Sequence, residues 1–330
     1  MIARLRAALG AIRLHESATA ESLAAGRILV LAIWIVFLAQ DPVFSLLHLP
    51  IELFQPYGVF RLAPDGVWAA LLTPAGLWSL KGGAIALAAW ALLGLRGARG
   101  AALALVAVGL LYLEVKKGFG GHWDHRELTL VYVTGVLALT PAWDALALRR
   151  GPAPARRAGA HRAGLLAVSL VVVIQYLFIG IARLAIGAPG VFLGGTLQNW
   201  IENRNLRPNP YGFDLGTLFL DPVWAVPLDL LFLGGTLLEV GAVLVLFLRP
   251  GWLKLALVVG FLVFHLSIFV LMNVSFAENM VLVLLFFDLA APLRAIRRAR
   301  AIERPADPVR PEPEPAGRRG ALAAWFAGPS

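Results

Sequence analysis

The sequence predicts an all-α fold, a polytopic transmembrane helical bundle of about eight spans with short interfacial helices. Three observations predict it. Of 330 residues, 59% are apolar and only 15% are charged, whereas a soluble domain carries about 25% charged residues. Long apolar runs recur from Ser22 to the C-terminal region, and roughly 20 apolar residues suffice to cross the hydrocarbon core. The runs are continuous, unlike the alternating segments of about ten residues that build a barrel.

The spans read as 22–40, 77–95, 100–115, 127–147, 163–187, 226–248, 252–274 and 277–293. They form one transmembrane domain over 22–293. Before it, Arg4, Arg6 and Arg13 break up any apolar stretch that a cleavable signal peptide would need. Ile2, Leu5, Leu9 and Ile12 recur at helical spacing, so 1–21 reads as an interfacial segment, with a frayed terminus as the alternative. Pro141 and Asp144 near the end of span four predict an early stop or a kink. The connections 41–76 and 188–225 are rich in Pro, Gly and aromatic residues. Leu193–Ile201 is the best candidate there for a short interfacial helix. Residues 294–330 form a basic, Pro-rich tail, with no packed core expected over 302–317.

Orientation follows from the basic residues. With the N-terminus inside, the inside segments hold all but eight of the 29 Lys and Arg residues. The exceptions are Arg61, Lys81, Lys116, Lys117, Arg126, Arg183, Arg204 and Arg207. This bias predicts a multi-pass protein of the plasma (inner) membrane with both termini cytoplasmic. It also explains the net charge of +9 without nucleic acid as a partner; the lipid bilayer is the partner expected. The absence of cysteine excludes disulfides, thiolate catalysis and Cys-based metal sites.

Ionisable side chains inside spans are costly and mark candidate sites. Arg27 and Asp288 lie near the inner ends of their spans, where snorkelling accounts for them. Glu239 and His265 lie deeper, on spans joined by a tight turn at Arg249–Gly251. Their depths differ by roughly 6 Å at the helical rise, close enough for a water-bridged contact if their faces agree; a structural pair that glues the two helices is the alternative to a functional one. Between spans three and four, the block from Lys116 to Glu127 packs two histidines, two acids and three basic residues. Its His122 and His125 have ligand-like spacing but no companion cluster, so no metal is predicted. Arg183, Asn273, Glu278 and the polar residues of 198–207 fall on the same outer side. Together they suggest a pocket for an amphipathic ligand with a polar head.

These segments resemble the membrane domain of the vitamin K-dependent gamma-carboxylase-like, or HTTM, family. The resemblance runs over about residues 20–293. It begins at Gly26-Arg27-Ile28-Leu29 and continues at Trp123-Asp124-His125. It then takes in the block from Gln175 to Leu184, and ends at Phe264-His265 with Phe276 and Met280. It implies a vitamin K-type hydroquinone, or another quinone, as cofactor or ligand. By position His125 matches the family's histidine, and Arg183 stands where the second residue of its Lys-Lys pair would. Arginine cannot serve as a general base, so the resemblance implies the pocket more than the carboxylation.

The expected function is therefore an outward-facing site for a quinone or other amphipathic ligand. His125, Lys117 and Arg183 are the candidate catalytic residues; Trp123, Gln175, Glu239 and His265 are the candidate ligand-binding ones. Any catalysis would be that of a carboxylase-like lyase. The alternatives are an enzyme that modifies an exported peptide or lipid and, third, a small-molecule transporter.

Overall fold

A computed structural model describes residues 12–120, 125–148, 158–206 and 211–303. The described residues are helical and contain no strand. In chain order the helices are α1 (Ala20–Gln40), α2 (Asp65–Leu71), α3 (Pro74–Leu93), α4 (Ala98–Lys117), α5 (His125–Leu139) and α6 (Ala158–Ala182). They continue with α7 (Thr196–Asn205), α8 (Ala225–Gly241), α9 (Trp252–Met272), α10 (Ala277–Leu282) and α11 (Ala291–Glu303). Residues up to Leu289 form one compact unit, and α11 belongs to a second.

Six stretches are long and apolar enough to cross a membrane, and the chain is an integral membrane protein. A seventh candidate is Ala277–Phe286 taken together with Ala291–Arg297. The remaining expected span is represented by Glu127–Leu139, whose length of roughly 20 Å falls short of a 30 Å core. The apolar surface needs lipid. In the most apolar window of α9 the mean hydropathy is 2.7, yet only 22% of residues are buried. A helix that is apolar all round and mostly uncovered by protein has only acyl chains left to face.

Two departures from the expected spans have a local cause. Helix α5 stops at Leu139 because Pro141 has no N–H to give to Leu137; Thr140 caps that carbonyl instead, through its backbone and its hydroxyl. The expected eighth span is not one helix. It runs as α10, then a 3₁₀ turn at Val283–Phe286, and leaves helical geometry at Phe287. Pro292 removes the donor that would have bonded the Asp288 carbonyl. The expected interfacial helix at Leu193–Ile201 is instead α7, starting at Thr196, because Gly195 at φ 66° sits in the left-handed region that ends regular helix.

Helix α1 is central, packing against α3, α5, α6 and α10. Leu23, Val30, Leu31 and Leu38 are buried along it, and the Trp34 indole donates to Thr134 at 2.8 Å. Arg27 does not snorkel. It is fully buried and donates to the carbonyls of Ala142, Leu92 and Leu146, with its guanidinium over the Trp143 ring. It thereby ties α1 to the end of α3 and to the turn after α5. Asp288 accepts from Ser22 at 2.8 Å.

Residues 12–19 form a turn packed into the same end of the bundle, while 1–11 lie outside the described residues. Arg13 and Leu14 both donate to Leu246, Leu14 is fully buried, and His15 bonds Ser169 at 2.8 Å. Burial, aided by Lys254 and Arg162 and opposed by Asp288, lowers the His15 pKa from 6.5 to about 3. The unfolded chain then binds the extra proton below pH 6.5, so His15 stabilises fully above that pH and progressively less toward pH 3. Acidification from pH 7 to 5 should cost about 2 kcal/mol through this residue. His15→Asn tolerates the positive φ at this position and should flatten that part of the profile, read from thermal unfolding in detergent. Parallel profiles for the two proteins would refute the assignment.

Candidate functional site

The ends of α4, α6 and α9 and the starts of α5, α8 and α10 lie at the end of the bundle that carries Lys117. The segment after α6 overlies it: Asn205 donates to the Leu271 carbonyl at 2.9 Å, and Asn273 donates to Asn205 at 2.7 Å. Two polar sites occupy this end.

The first is an ion network. Lys116 and Lys117 close α4, where cations favour the helix C-terminus. Lys116 donates to Asp41 at 2.5 Å and to Glu127 at 3.0 Å, and Lys117 lies 3.1 Å from the other oxygen of Glu127. Glu127 is 1% exposed, so its two lysines supply the compensation that a buried carboxylate requires. Lys116 also lies over the Phe37 ring, and Lys81 donates to the Asp41 carbonyl at 2.8 Å. The connection after α1 covers the network: Phe54 rests on Gly118, and Gln55 donates to the Gly118 carbonyl at 2.7 Å. Glu127 stood in the polar block of the sequence, but Asp41 was hidden by its place at the end of an apolar span.

The second site is a pocket of about 650 Å³ between α7, α8 and α9. Arg183 lies at its wall, at the start of a π turn (Arg183–Gly187) that ends α6. Trp200 and Arg204 of α7, Phe232 and Gly235 of α8, and Phe264 of α9 also line it. Arg183 donates to Glu239 and sits over the Phe232 ring at 5.3 Å. The Arg183 side chain is 24% exposed and that of Glu239 4%, so the pocket reaches the guanidinium more readily than the carboxylate. Leu230, Leu231 and Val263 line the pocket and are exposed on their membrane-spanning helices; its apolar side therefore opens toward lipid.

A close helix approach makes the ion pair possible. A Cβ on Gly180 would fall 2.7 Å from the Val240 side chain and 2.9 Å from its backbone nitrogen. Only glycine lets α6 lie this near α8, as small residues do between membrane helices. Arg183 and Glu239 flank that crossing.

The expected Glu239–His265 pair takes a different form. Glu239 is engaged by Arg183, and His265 lies 2.6 Å from the Tyr176 hydroxyl. His265 is buried and stacks on Phe276, a lining residue of the pocket. It stands behind the wall rather than in it. Gln175 accepts from Thr129 of α5. The predicted residues thus divide between two places: Lys117 belongs to the ion network and Arg183 to the pocket wall, with Glu239 behind that wall as the partner of Arg183. His125 is the first residue of α5, and Trp123 lies outside the described residues. Tyr176 and Phe232 were missed, because apolar spans are full of aromatic residues and nothing in the sequence marks the one that bonds a buried histidine or the one that lines a pocket. Among the described residues no group of three metal-ligating side chains comes together. Comparison with family models, curated proteins and solved structures finds no match for this chain.

Proposed function

We propose that the protein binds an amphipathic ligand, of the quinone class, which it takes from the bilayer into the pocket beside Arg183. The observation that carries this reading is a guanidinium at the wall of a largely apolar pocket whose open side is flanked by lipid-facing leucines. The Arg183–Glu239 pair is neutral as a unit. It therefore suits a neutral head with acceptor oxygens, such as a quinone carbonyl, reached by the N–H groups that Glu239 does not use. Arg204 and Trp200 on α7 would roof the head, and the tail would lie along Leu231, Leu238 and Val263. The resemblance to the HTTM family supports the same ligand class.

The lysine–carboxylate pairing favours binding over catalysis by Lys117, which enters the ion network as a donor. Carbon dioxide incorporation into a glutamate peptide is accordingly expected to be negligible. The charge bias supports an orientation with the Lys117 end outside and both termini in the cytoplasm. An impermeant label at Gly120 or Asn205 should react in intact cells.

Quenching of Trp200 fluorescence by a vitamin K-type naphthoquinone provides the test in nanodiscs. Arg183→Ala/Glu239→Gln removes the donor without orphaning a carboxylate. It should weaken binding at least about tenfold, the loss expected for a hydrogen bond to a charged group, and Arg183→Lys should retain part of it. Equal affinity in wild type and both variants would overturn the reading.

A further inference from the structure

We infer that the interior of the bundle holds a bound-water site between Gln175 and Asn279, separate from the pocket and independent of its ligand. Asn279 is 1% exposed, and neither its Oδ1 nor its Nδ2 has a hydrogen-bond partner. Gln175 spends its Oε1 on Thr129, and its buried Nε2 is likewise unpartnered. Exchanging O and N in the Gln175 amide merely moves the unmet group from donor to acceptor.

Two independent contacts put these amides at one depth. Ser169 of α6 donates to the Leu285 carbonyl at 3.5 Å. The chain after α9 runs opposite to α6, so six residues from that contact, toward the Lys117 end, lie Gln175 on one side and Asn279 on the other. The second contact is the Tyr176–His265 pair. His265 stacks on Phe276 at 5.3 Å, one helical turn before Asn279. Helix α5, which carries Thr129, packs against both α6 and α10.

The chemistry selects the occupant. Two carboxamides and a hydroxyl offer donors and acceptors but no charge, so an ion gains little here. A molecule that both donates and accepts can satisfy two to four such groups, and water is the molecule that polar interior sites of this kind bind. Tyr176, which follows Gln175 in the chain, is an oxidisable side chain beside this level.

The test uses the full chain in detergent, as wild type, Asn279→Leu, Gln175→Met and the double variant. Leucine carries as many side-chain heavy atoms as asparagine but none that needs a hydrogen bond, so a dry site would gain from the exchange. A shared water predicts that each single variant lowers the Tm, by on the order of 5 °C, and that the double variant loses less than the sum. X-ray hydroxyl-radical footprinting read by mass spectrometry reports bound water directly. Tyr176, though buried, should be labelled in the wild type and several-fold less in Asn279→Leu. Tyr176 labelling that is absent in the wild type, or unchanged in Asn279→Leu, overturns the inference whatever the Tm does. Additive rises in Tm for the two single variants overturn it as well.

Discussion

Arg183→Ala should lower the stability of the folded protein by about 3–5 kcal/mol, and adding Glu239→Gln should return most of the loss. The reason lies with the partner left behind. Glu239 is almost fully buried in an apolar crossing of α6 and α8, and a carboxylate stranded there has neither water nor cation. Neutralising it removes that penalty, so the two losses should be far from additive, with a coupling of at least about 2 kcal/mol. Thermal unfolding in detergent for the wild type, the two single variants and the double variant measures this. Additive losses would mean that Arg183 reaches water and that Glu239 is satisfied by something else. The same cycle protects the binding test. A defect seen in Arg183→Ala alone would mix lost contact with lost fold, whereas the double variant separates them.

Much of the fold was legible because a bilayer imposes length and apolarity on every span. The starts of α1 and α9 and the early end of α5 follow from apolar runs and from Pro141. The break near Asp288 was legible in principle through Pro292, but the apolar run across it outweighed a single proline. Burial of Arg27 was not legible. Its position near a span end fits both snorkelling and capture by carbonyls, and only the packing of α3 and the turn after α5 decides between them.

The candidate site shows the same division. Counting residues from a turn gives depth along a helix, and on that count Glu239 and His265 came within reach of each other. It does not give direction around the helix axis. Glu239 lies beside Val240 and Thr236, which face Gly180, and so turns toward α6. His265 follows Phe264, which packs on Gly235, and is rotated onto Tyr176. A polar pair inferred from depth alone was therefore resolved into two pairs, each with a partner on α6. The glycine that permits the first of them gives no signal of its own in a chain with 33 glycines.

Glu127→Gln should cost about 3 kcal/mol or more, the second large effect expected in this protein. Glu127 is the acid that Lys116 and Lys117 share, and Asp41 alone then faces Lys116. An amide keeps the shape but offers one acceptor oxygen and no charge, so a buried and a partly buried ammonium group compete for less compensation. Lys117→Met on the Glu127→Gln background should be milder than on the wild type, because the ammonium it removes has by then already lost the Glu127 carboxylate. Melting curves for the four proteins give the coupling, expected at roughly 0.5–3 kcal/mol. A Glu127→Gln protein within about 0.5 kcal/mol of wild type would show that water already screens the network, as it does for exposed pairs. That outcome would also free Lys117 from its structural role and restore it as a candidate for chemistry. A large loss keeps it as one of the ties that hold the end of α4 to the start of α5, beside the site rather than in it.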